Sequence, residues 1–134
     1  MANEAVPVEL GVNGGNPVDF TVASGAAIDQ YTILKLADPR TAAASSSTDV
    51  FAGIAAAAKK SDDYSTNLSA YTSGIFKLTA APGATITAGG GVVLSGANLI
   101  KQGVAGDLLT GATFGKAMES IASATTGEVM VGTI

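Results

Sequence analysis

FAGIAAAAKKSDDYSTNLSAYTSGIFKLTAAPGATI, residues 51–86, holds two strand-like runs separated by a polar turn and closed by a second turn. Residues 50–55 carry Val50, Phe51 and Ile54 among small residues. Residues 70–79 alternate, with Ile75 and Lys77 on one face and Phe76 and Leu78 on the other. That two-residue period is the mark of a strand. Between them KKSDDYSTNLS reads as a hairpin connection, and APGATITAGGG after them is rich in turn residues. The Ala-rich run AAAAKK has neither a cap nor an apolar stripe of 3.6-residue period, and neither has AMESIASA, so neither is read as a helix.

Working outward, the same alternation recurs. Residues 31–36 form a strand that stops at Ala37-Asp38-Pro39-Arg40, and a small polar stretch, TAAASSSTD, leads on to Phe51. Residues 92–94 and 99–101 are strands around SGAN, residues 103–111 a loop, and residues 114–121 and 128–131 two strands around SATTG. The two halves resemble each other. Gly25-Ala26-Ala27-Ile28 matches Gly83-Ala84-Thr85-Ile86, Phe51-Ala52-Gly53 resembles Phe114-Gly115-Lys116-Ala117, and Gly74 to Leu78 resembles Gly127 to Val131. A duplication of this kind builds two similar β lobes. The fold expected is all-β, a small barrel or sandwich, with residues 25–134 as one β domain.

Residues 1–24 differ. Val6, Val8, Leu10 and Val12 alternate, Pro7 interrupts them, and NGGNP breaks the chain before Phe20. Proline within an alternating run marks an edge strand or an extended arm. The segment is therefore read as an extended N-terminal arm. All its charges are acidic: Glu4, Glu9 and Asp19, followed by Asp29, precede Lys35, the first basic residue.

Composition narrows the function classes. The chain has 134 residues and a net charge of −4, which disfavours nucleic acid and anionic membranes as partners. It lacks both histidine and cysteine, so the usual general base, thiolate nucleophile and disulfide are absent. Asp62, Asp63 and Asn67 do not have calcium-loop spacing. Gly89-Gly90-Gly91 and Gly111…Gly115-Lys116 fail as phosphate loops, because no Lys-Ser/Thr follows. They read as turn glycines, and Lys59-Lys60 beside Asp62-Asp63 as a charge-balanced hairpin tip. No catalytic, cofactor or metal site is expected. MANEAVPVEL lacks the basic and apolar regions of a signal peptide, and no apolar run approaches a membrane span. Aromatic residues make up 5% of a chain whose apolar content is largely alanine. Alanine buries little area, so further burial against other copies or another protein is expected.

The segments GAAIDQYTILKL, STDVFAGIAAAAKKSDDYSTNLSAYTSGIFKL, GATITAGGGVVLSGANLI and FGKAMESIASATTGEVMVGTI resemble the head decoration (capsid cement) proteins of tailed bacteriophages. Gly53-Ile54-Ala55 with Thr72-Ser73-Gly74-Ile75-Phe76 adds a local resemblance to the lambda-type members. The resemblance covers residues 25–134. It implies a non-enzymatic homotrimer on the outer surface of the virion capsid, bound to the major capsid protein at three-fold and quasi-three-fold positions. Such a protein stabilises the expanded head against DNA pressure. In this reading Val6, Val8, Leu10, Val12 and Phe20 form the capsid-binding arm. A tail or fibre component, or a carbohydrate-binding β module, is the alternative.

Overall fold

A computed structural model describes residues 3–10, 17–46 and 50–132. Among the described residues eleven strands and one short helix follow one another: β1 (Val6–Glu9), β2 (Val18–Thr21), β3 (Ile33–Asp38), β4 (Thr41–Ala44), β5 (Phe51–Ala55), β6 (Asn67–Tyr71), β7 (Gly74–Ala80), β8 (Gly91–Gly96), β9 (Leu99–Gln102), α1 (Ala105–Thr110), β10 (Gly115–Ala117) and β11 (Thr126–Val131). They build an all-β molecule of two five-stranded barrels. The first closes in the order β2-β4-β3-β5-β6, and the second is β7-β11-β10-β8-β9 closed by β7 on β9.

The barrels repeat strand for strand. Thr21 pairs with Thr41 in a parallel ladder, and Thr79 pairs with Leu99 the same way, each 58 positions further on. The same shift carries the bulge at Leu36/Asp38 onto the bulge at Leu94/Gly96. It also carries the tight turn at Arg40, φ 53°, onto Asn98, φ 58°. Leu34 opposite Gly53 becomes Val92 opposite Gly115. The bridge Ile28–Lys59 becomes Ile86–Ile121.

This equivalence confirms the match of Gly25–Ile28 with Gly83–Ile86 and corrects the other two. Gly53, not Phe51, fixes the alignment with Gly115. Phe51 and Phe114 are neighbours in space, their rings stacked 4.3 Å apart. Gly74–Leu78 and Gly127–Val131 lie in β7 and β11, which are paired antiparallel within one barrel. Alternating strands look alike whichever strand they oppose.

Four local expectations also change. Residues 41–44, the start of the small polar stretch, form β4. Residues 70–79 belong to two strands, broken at Thr72-Ser73 just before Gly74, whose φ of 131° few side chains adopt. The loop at residues 103–111 contains α1, where the Val104 N–H donates to the Asp107 carboxylate (2.8 Å) and Gly111 ends the helix at φ 81°. The break at residue 24 does not separate an arm from a body. Residues 18–21 are β2, paired with both β4 and β6, so the first barrel needs them.

Each barrel has its own core. Phe20, Val22, Ile28, Leu34, Ala52 and Leu68 fill the first. Phe76, Leu78, Ile86, Val92, Leu94, Ile100 and Val129 are central to the second, and Ile33 and Ile54 of the first barrel join them. Ile33 adjoins Leu34 in β3, so it points the opposite way, out of its own barrel and into the other. Two buried groups complete the contact. The Ile33 N–H donates to Asn98 Oδ1 (2.8 Å), and Ser45 Oγ donates to the Gly96 carbonyl (2.9 Å) while accepting from the Asn98 N–H (3.2 Å).

Lys59 is 4% exposed, so it is not part of a solvated hairpin tip. Its ammonium donates to the carbonyls of Ser24 (2.7 Å), Ala26 (3.1 Å) and Asp63 (2.6 Å), tying two loops to one end of the first barrel. Three donors meet three acceptors, which is what a buried cation requires. Ile121 fills this place in the second barrel. Lys59→Met keeps the length and removes the donors. It is expected to cost about 2 kcal/mol of stability, checked by denaturant unfolding.

Candidate interaction surface

The surface begins at β1. This strand pairs antiparallel with β7, Val6 opposite Lys77 and Pro7 opposite Phe76, and a bulge follows before Glu9 meets Ile75. The edge of β7 that β1 covers continues into the residues paired with β9, Thr79 and Ala80. β1 thus extends the second barrel's sheet, and its own outer side is a sheet edge. Proline lacks the N–H needed for one ladder bond, which suits such an edge position. The strand is anchored at its start, where Ala5 is buried and its N–H donates to the Tyr31 carbonyl at 2.9 Å.

The five arm residues separate by environment. Val6 and Val8 are 53% and 43% exposed, two apolar side chains on an edge strand. Leu10 is half-buried and packs against the second barrel's core. Val12 lies outside the described residues. Phe20 is 9% exposed and sits in the first barrel's core, so it cannot serve as part of an arm. The sequence placed it there because NGGNP ended the alternating run just before it, whereas Phe20 opposes Leu68 within the first barrel. One oxygen of the Glu4 carboxylate is withdrawn from water and has no hydrogen-bond partner among the described residues.

A second feature lies at the far end of the second barrel. Gly89, Gly91, Gly103, Val104, Leu108, Thr113, Gly115 and Lys116 line an open cavity of about 260 Å³. The polar side chains of the lining are one threonine and one lysine. Among the described residues no three His, Cys, Asp or Glu side chains gather as a metal site, and no helix is long and apolar enough to cross a membrane. Asp62 and Asp63 are exposed, and the Asp63 carboxylate caps its own turn by accepting from the Ser65 N–H (3.0 Å). Gly89 is a turn glycine as expected, with φ 84°. Gly115 is a strand glycine, held by close backbone approach.

The fold defines a class, paired and repeated β-barrels with an added edge strand. No family model and no curated protein sequence matches the chain. Among solved structures it is similar to the crystal structure of the head fiber gp8.5 N base in bacteriophage phi29. That similarity has a TM-score of 0.55 and 12% identity, over 87% of this chain and 94% of that one. At this identity the likeness is one of fold.

Proposed function

We propose that this protein is a capsid decoration (cement) protein. It binds as a homotrimer to the major capsid protein on the outside of a mature tailed-phage head, at three-fold and quasi-three-fold positions, and stabilises the shell against DNA pressure. The observation that carries the reading is the repeated double barrel, whose fold is shared almost end to end with the base of a phage head fiber. The residue-level resemblance to decoration proteins agrees with it. So does a sheet edge that presents apolar side chains.

The contact on the shell is assigned to β1. Main-chain groups on its outer edge add to a strand of the capsid protein, and Val6 and Val8 enter apolar pockets. Modest contacts repeated over a lattice give firm attachment. Because a bound protein stabilises the state it binds, heads carrying it retain DNA to a higher temperature than bare heads.

The test uses bare mature heads with added protein. Val6→Asp combined with Val8→Asp is expected to melt as the wild type does, since both side chains are exposed. Head binding should fall at least tenfold, and the heat protection should be lost with it. Unchanged binding removes β1 as the contact. Full binding of the wild type without any heat protection removes the cement role. The neighbour's own description favours a second reading, the base of a projecting fibre. Electron microscopy of decorated heads separates the two, since a cement protein forms a low knob and a fibre base carries a protrusion.

A further inference from the structure

The repeat gives every contact between the barrels a counterpart, and one counterpart is unfilled. Within the chain, the turn holding Asn98 in the second barrel seats on a face of the first. That face carries Tyr31, Ile33, Ser45 and Ile54. In the second barrel the equivalent positions are Gly89, Gly91, Gly103 and Lys116, and they line the open cavity. In the first barrel the equivalent of the Asn98 turn is Pro39-Arg40, which is exposed. Beside it Leu36 is 41% exposed, whereas its counterpart Leu94 is 0% exposed beneath the first barrel. Among the described residues each chain therefore has, at one extremity, a turn that the other barrel does not cover, its Arg40 Nε donating to the Asp19 carbonyl (3.1 Å) of its own barrel, and at the other extremity an open socket. β3 runs from Ile33, at the contact, to Asp38, at the free end, so the chain cannot close the pair on itself.

We infer that the Pro39-Arg40 turn of one copy seats in the Gly89/Gly91/Gly103 socket of a second copy, so that the contact within the chain is repeated between chains. This rests on the homotrimer reading above and gives it a head-to-tail interface, which joins copies into a ring when the rotation closes. Sizes are complementary. The filled face has bulky Tyr31 and Ile33 and receives the short Asn98. The open one has glycines and receives the long Arg40. Apolar groups meet as well: Leu36 and Val50 flank the turn, and Val104 and Leu108 flank the socket, all four exposed. The Asp107 carboxylate lies 3.3 Å from where a β-carbon on Gly103 would sit, within reach of an incoming guanidinium. Lys116, of like charge, is exposed and stays at the rim.

The chain has no cysteine, so cross-linking reads this contact directly. Under oxidation the double variant Arg40→Cys/Val104→Cys is expected to give covalent dimers and trimers. Mixing the two single variants should give dimers only, in excess of either alone. Arg40→Glu should weaken self-association about 30-fold, as for an interface anchor, with the β circular-dichroism spectrum of the folded chain unchanged. A wild-type trimer whose double variant does not cross-link above the single-variant level, and which does not respond to Arg40→Glu, overturns this interface and leaves the homotrimer standing. A wild type that is monomeric both free and on heads overturns both. If the thiol of the Val104→Cys variant is shielded from alkylation on heads while the double variant does not cross-link, the socket belongs to the capsid protein and the inference fails.

Discussion

Asn98→Ala is expected to lower stability by about 3 kcal/mol and to loosen the second barrel from the first. Asn98 is fully buried, and its side-chain oxygen accepts the Ile33 N–H across the contact. Alanine leaves that donor unpaired in an apolar setting, at about 1–3 kcal/mol. It also holds a residue with a β-carbon at φ 58° without the local hydrogen bonding that lets asparagine adopt it, at about 1 kcal/mol. Asn98→Gly relieves the second cost and keeps the first, so the pair of variants separates them. Denaturant unfolding followed at Tyr31 or Tyr71, near the contact, and by circular dichroism for both barrels should report one transition in the wild type. The two probes should part in Asn98→Ala. A single unshifted transition would show that the Asn98 side chain is not needed and that Ser45 with the apolar packing of Ile33 and Ile54 suffices to join the barrels.

Gly115→Val should be more damaging, at about 3 kcal/mol or above. A β-carbon at Gly115 would lie 2.5 Å from the Met130 carbonyl oxygen, a backbone atom that cannot swing aside. The equivalent Gly53 is nearly as confined, with Ala70 Cβ at 2.9 Å and the Tyr71 carbonyl at 3.0 Å. Two glycines at one place in two barrels mark a point where neighbouring strands approach closely in both. Gly25, where a β-carbon meets open space, is the control, and Gly25→Ala should change little. A drop of about 10 °C in melting temperature for Gly115→Val, and hardly any for Gly25→Ala, is the expected pattern.

Strand character was plain in the sequence because alternation reports which positions face inward. The halves could be matched at Gly25–Ile28 because turn residues are specific to a backbone shape. They were mismatched at Phe51 because a large apolar residue near a glycine says nothing about which of the two is geometrically required. The outward aim of Ile33 was also hidden. In Ile33-Leu34 two adjacent apolar residues point opposite ways, and only the presence of a second barrel explains the first of them. Of the arm, the edge role of residues 6–9 was legible from Pro7. The place of Phe20 was not, since its partner Leu68 lies far along the chain. α1 escaped because six residues with no buried side chain give no apolar stripe to detect.

The pairing of β1 with β7 also has a consequence in time. On the ribosome the first strand emerges before its partner exists. The first barrel, complete by Tyr71, can close while the second is still unmade. Val6 and its neighbours must then stay unpaired until Gly74–Ala80 has been synthesised, and the face around Ile33 and Ile54 remains uncovered longer still, until the Asn98 turn exists. β1, made well before its partner, is thus among the last elements to settle. During that delay a neighbouring nascent chain can offer an equivalent edge, so crowded polysomes are where exchanged strands between copies would arise.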